Sequence, residues 1–73
     1  MSSFVRYILK FKDHNCPYGD VARDIMADPE VNRRWGYRRF VQHLIERRAS
    51  QRVFELIDNL QFEYKEMKAI GFF

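Results

Sequence analysis

Ser50-Gln51-Arg52-Val53-Phe54-Glu55-Leu56-Ile57-Asp58-Asn59-Leu60-Gln61-Phe62-Glu63-Tyr64-Lys65-Glu66-Met67 is the stretch that decides the fold. Val53, Ile57, Leu60, Tyr64 and Met67 recur at helical spacing and keep one face over about four turns, with Leu56 beside them. Ser50 stands where a helix of this register needs a side-chain oxygen to accept from its first turn. This is the longest periodic segment of the chain, and it is read as the backbone of the core. No run alternates apolar and polar residues between tight-turn dipeptides, so no strand is expected.

Moving toward the N-terminus, Tyr37, Phe40, Val41 and Leu44 repeat the same stripe. Continuing that register would put Arg48 on the apolar side, so this helix should end around Glu46 or Arg47. Before it, Glu30 to Gly36 reads as a linker. Val21, Ala22, Ile25 and Met26 form the buried side of a short helix that Asp20 caps and Pro29 ends near Asp28. Phe4, Tyr7, Ile8 and Phe11 mark a first helix over Phe4 to Lys12, capped by Ser2 or Ser3. It must stop before Cys16, because Pro17 biases that residue away from helical backbone. The expectation is an all-α domain over residues 3–68, a single compact bundle of four to five short helices, with a short tail at 69–73.

A chain of 73 residues holds one domain, and at this size folding buries only about 60% of the extended surface. A hydrophobic fraction of 47% with only three Gly and two Pro argues against disorder. Cys16 is the only cysteine, which excludes an internal disulfide and a cysteine-based zinc site. A reducing, cytoplasmic setting is the simplest reading. No apolar run approaches the roughly 18 residues of a membrane span, so no membrane partner is expected.

The net charge of +3 is unevenly placed. Residues 1–32 carry four basic against five acidic side chains, a net of −1, and residues 53–73 carry two against four, a net of −2. Between them, Arg33, Arg34, Arg38, Arg39, Arg47, Arg48 and Arg52 face Glu46 alone, a net of +6. All seven are arginine, whose planar guanidinium forks onto phosphate oxygens and stacks on bases. Arg38, Arg39, Gln42 and His43 are read as the exposed polar face of the third helix. The arginines crowd two helix N-termini, where free N–H groups also attract anions. These seven residues are therefore the candidates for nucleic-acid or anion binding; a solvated or salt-bridged face is the bland alternative.

Other signals are weaker. His14 and Cys16 sit in one loop beside Asp13, but too few ligands exist for a closed site, and they read as ordinary loop residues. Asp20, Asp24 and Asp28 form a like-charge ladder, expected to pair with the central arginines. Phe62 projects opposite the apolar stripe and should be exposed unless the Gly71-Phe72-Phe73 tail or the first helix covers it. Trp35 and Phe62 are candidate partner contacts, although an aromatic at Trp35 more often staples a helix start to the core.

The order of these pieces resembles the YozE-like family of small bacterial proteins, whose fold is SAM-like in the sense of the sterile alpha motif. The likeness runs from about Ser3 to Glu66. It rests on Ser3-Phe4 followed by Tyr7-Ile8, on Val21-Ala22 with Ile25 and Asp28, on Leu44-Ile45-Glu46, and on the closing segment Phe54 to Tyr64. The family commonly carries a Phe-Pro-Lys step and an acidic third segment, where this chain has Pro29-Glu30-Val31 and seven arginines. The resemblance implies a compact helical bundle and supplies no catalytic residues.

With two His, one Cys and scattered acids, no nucleophile, base and orienting group can be assembled, so no enzyme, cofactor or metal is expected. The leading expectation is a non-catalytic module binding nucleic acid through the seven arginines. The alternative is a protein-interaction module that sets the basic segment against an acidic partner or the acidic last helix of another copy, as a monomer or with weak self-association.

Overall fold

The computed structural model describes residues 3–71. Four helices follow one another: α1 Phe4–Leu9, α2 Pro17–Ala27, α3 Tyr37–Glu46 and α4 Gln51–Ala69. No strand occurs among the described residues, and no helix among them is long and apolar enough to cross a membrane. The chain is a small all-α bundle.

Ser3 caps α1 by accepting from the Arg6 N–H at 3.2 Å. Past Leu9 the chain tightens: Lys10, Phe11 and Lys12 donate to the carbonyls three residues back, at 3.0 to 3.2 Å. The apolar stripe therefore reaches Phe11 as read, while the α-helix proper ends earlier. Gly19 packs against this turn so closely that any Cβ would overlap the His14 carbonyl oxygen, which explains a glycine inside a helix. Arg23 secures the same turn by donating to the carbonyls of Lys12 at 2.8 Å and His14 at 3.2 Å.

Two expectations for α2 need correction. The helix starts at Pro17, not after Asp20, because proline at the first helical position gives up an N–H that has no partner there anyway. Cys16 is the N-cap and makes no side-chain capping bond, and Asp20 lies inside the first turn, paired with Arg23. Met26 is 49% exposed rather than buried. Ile25 beside it is buried, and at 100° per residue Met26 lies 100° from Ile25, past Ala22 at the margin of the stripe.

α3 ends as expected at Glu46, followed by a Schellman closure: Arg48 N–H bonds the Ile45 carbonyl at 3.1 Å and Ala49 N–H the Leu44 carbonyl at 3.0 Å. Arg48 adopts φ +55°, the left-handed region that glycine usually supplies at this position. Ser50 caps α4 by accepting from Val53 N–H at 3.4 Å.

The core is Phe4, Val5, Tyr7, Ile8, Val21, Ala22, Ile25, Phe40, Ile57 and Leu60. Its centre is α1 rather than α4. Four of the six α1 residues are buried, and α1 touches each of the other helices. The 19-residue α4 buries only Ile57 and Leu60 fully, since a helix of about 28 Å cannot be covered along its length by shorter neighbours. Phe4 is the hub, with ring centroids 5.5 Å from Tyr37 and Tyr64 and 6.5 Å from Phe40.

A candidate nucleic-acid interface

The linker before α3 is held at several points. Asn32 Oδ1 accepts from Arg34 N–H at 2.8 Å, and the Asn32 carbonyl from Trp35 N–H at 3.1 Å. Ser3 Oγ donates to the Arg33 carbonyl, and Val5 N–H to the Trp35 carbonyl at 3.3 Å. The Arg33-Arg34-Trp35 segment is thereby docked on the start of α1. Gly36 then opens α3 in extended backbone with no side-chain cap, leaving the positive end of the helix dipole without a side-chain acceptor. Tyr37 donates to Asp58 Oδ1 at 2.7 Å, tying that same end to α4. The bond to the carboxylate, then burial, holds the Tyr37 hydroxyl above its ordinary pKa.

These ties bring cations from the α1 segment, the linker, α3 and α4 to adjoining depressions. A central depression of about 680 Å³ is lined by Arg6 of α1, Arg34 of the linker, and Lys65 and Lys68 of α4, with Gly36, Tyr37, Gln61 and Tyr64. A second, sharing Arg6, adds Lys10 and Arg33. A third, sharing Gly36, Tyr37, Gln61 and Lys65, adds Arg38 and Arg39. No carboxylate lines any of the three. Arg33, Arg34, Arg38 and Arg39 make no ion pair among the described residues. Arg39 instead lies over the Trp35 ring, 4.3 Å from its centroid, and Trp35 is packed against the core as a staple. Gln61 lines two of these depressions, and its Oε1 atom is buried without a hydrogen-bond partner.

The seven arginines thus divide. Arg33, Arg34, Arg38 and Arg39 meet at the N-terminal end of α3. Arg47, Arg48 and Arg52 lie near its far end, about 15 Å along the ten-residue helix. Arg47 donates to Asp28 Oδ1 at 3.3 Å and to Glu30 Oε2 at 3.0 Å. Arg48 closes α3, and Arg52 is exposed in the first turn of α4. Arg6, Lys10, Lys65 and Lys68 were not singled out by sequence, because they come from segments that are net acidic. Their spacing was the available signal: Arg6 with Lys10, and Lys65 with Lys68, stand one helical turn apart and so share a face.

A second polar cluster corrects the reading of His43. It is 5% exposed rather than on the outer face. At 100° per residue it lies 60° from Phe40, just outside the apolar stripe and on the side away from Tyr37, Val41 and Leu44. Its burial is supported by Asp28, the C-cap residue of α2, whose Oδ2 lies 3.0 Å from Nε2, and its ring packs 5.4 Å from Trp35. The bond to His43, then the Glu30 N–H at 2.9 Å and the Arg47 charge, hold the Asp28 carboxyl below the usual range. The expected pairing of the aspartate ladder with the central arginines therefore holds at Asp28, whereas Asp20 pairs with Arg23 inside α2. Donor atoms of Asp28, Glu30 and His43 lie within 4.8 Å of one another, a spacing that could hold a metal, but the Arg47 guanidinium already sits on both carboxylates. A groove of about 500 Å³ beside them is lined mainly by apolar residues, Ile25, Phe40 and Leu44 among them.

His14 is exposed with its ring 5.2 Å from Phe11, and Cys16 is half-buried at the start of α2. Phe62 is 69% exposed, so α1 does not cover it; Phe72 and Phe73 lie outside the described residues. Fold and surface together define a small all-α domain carrying a cationic groove. No family model, curated protein or solved structure matches the chain.

Proposed function

We propose that this chain is a non-catalytic, cytoplasmic module that binds nucleic acid at the groove around the N-terminal end of α3. The observation that carries the reading is the convergence of basic side chains from α1, the linker, α3 and α4 on adjoining depressions that no carboxylate lines. Such a surface attracts phosphates by charge and by release of condensed counterions. Arg33, Arg34, Arg38 and Arg39 are its sequence-derived members, with Arg6, Lys10, Lys65 and Lys68 added by the fold. Arg47 serves the Asp28 cluster instead, and Arg48 and Arg52 lie outside the groove. The proposal keeps the chain beside the YozE-like, SAM-like proteins, on the helix order and the Ser3-Phe4, Tyr7-Ile8 and Leu44-Ile45-Glu46 positions.

Fluorescence anisotropy with labelled oligonucleotides at about 50 mM salt tests it. Affinity should fall steeply as salt rises. The double reversal Arg34→Glu with Arg38→Glu should cost at least about tenfold, and Arg48→Glu with Arg52→Glu clearly less. No binding to single-stranded or duplex nucleic acid would overturn the reading and favour the protein-interaction alternative, which sedimentation at low salt would then probe.

A further inference from the structure

Resting on that reading, we infer that the groove takes single-stranded rather than duplex nucleic acid, with a base stacked on the Arg39 guanidinium above Trp35. Three features lead there. The cations line adjoining open depressions that share residues, the central one about 680 Å³. A concave cationic track with aromatic walls follows one backbone and lets bases turn inward.

The second feature is the make-up of α3, the helix that a duplex reader would insert. Its cations are confined to the first turn, at Arg38 and Arg39. The rest of its exposed face is Gln42, Ile45 and Glu46; Gln42 Nε2 donates to Glu46 Oε1 at 3.3 Å, and Ile45 is 56% exposed. Laying α3 along a major groove would press an apolar side chain and a carboxylate toward two rows of phosphates.

The third is the stack itself. Arg39 is exposed and lies 4.3 Å from the Trp35 centroid, so a planar cation is held on an aromatic support at the edge of the groove. Guanidinium planes and aromatic rings are the surfaces on which splayed bases of a single strand settle, irrespective of base identity. Tyr37, whose hydroxyl is fixed by Asp58, lines two of the three depressions and continues that wall.

The test compares a labelled oligothymidylate and oligouridylate with a hairpin duplex of equal nucleotide count, by anisotropy and by the fluorescence of Trp35, the only tryptophan. Single strands should bind about tenfold or more tighter than the hairpin and should quench Trp35. With the four cations of the central depression engaged, log affinity against log salt should have a slope of about −3. Arg39→Lys, which keeps the charge and loses the planar stack, should weaken single-strand binding about fivefold, while Arg38→Lys changes it little. Equal or tighter binding of the hairpin overturns this inference and leaves the nucleic-acid reading standing; binding of neither overturns both. Single-strand binding with Trp35 unquenched and Arg39→Lys unaffected overturns the stacking contact.

Discussion

Asp28 ties the end of α2 to α3 and to the segment that follows it. It ends α2, accepts from the buried His43 and the Glu30 backbone, and meets Arg47. All of these favour its ionised form, so its folded-state pKa lies below the unfolded value of about 3.9. A carboxyl with a lowered folded pKa contributes stability that is fully present above its unfolded value and is lost as pH falls through the folded one. Urea midpoints should therefore hold from neutrality to about pH 5 as far as this group is concerned, and drop below about pH 4. Asp28→Asn should lower the midpoint at neutral pH and flatten the acid limb; an acid limb unchanged in the variant would show that the carboxylate is not what the fold loses there. The sequence does not disclose this cluster, because the apolar pattern of α3 is centred away from His43. His43 sits at the margin of the Phe40 stripe, and only a partner fifteen residues away makes its burial tolerable.

At the scale of elements, the helices were legible and their ends were less so. Periodicity finds a buried stripe wherever it occurs, which is why α3 and α4 match their expected spans and Ser50 its capping role. It says nothing of how the backbone enters or leaves a helix. Pro17 opening α2 and the tightened turn after Leu9 are matters of hydrogen-bond supply that the apolar pattern does not encode. The end of α3 yields a prediction. Its Schellman closure requires a left-handed residue, and Arg48 supplies it at φ +55° while its side chain is exposed. That backbone costs an L-residue about 1–2 kcal/mol, against about 0.5–1 kcal/mol of extra chain entropy lost by glycine. Arg48→Gly should stabilise the protein by about 0.5–1 kcal/mol in chemical denaturation, with oligonucleotide affinity almost unchanged because Arg48 is outside the groove. A destabilised variant would mean that Arg48 makes a contact that outweighs its strain.

For the whole molecule, the order of importance among helices is set by enclosure rather than length. The longest stripe in the sequence belongs to α4, yet α1, with six residues, is the element surrounded by the other three. The groove has the same origin. Arg6 and Arg34 become neighbours of Lys65 and Lys68 only when α1 is packed against the α3–α4 pair, so charge counted along the chain locates half of the surface and the fold supplies the rest. A domain of this size has roughly 4–11 kcal/mol of stability in total. Phe4 is 1% exposed and its ring meets Tyr37, Phe40 and Tyr64, so truncation removes contacts to two other helices at once. Phe4→Ala should cost about 3–5 kcal/mol, a large share of that total. The loss should be global. Val5 N–H bonds the Trp35 carbonyl, which makes Trp35 fluorescence a reporter of α1 docking, while far-ultraviolet circular dichroism reports total helix content, of which α4 is the largest share. If α1 is the hub, both signals move together in urea to one much lower midpoint, and the cationic groove is lost with them. If instead Trp35 changes early while helix content persists, α4 stands without α1, and the groove is a feature of docking rather than of the fold as a single cooperative unit.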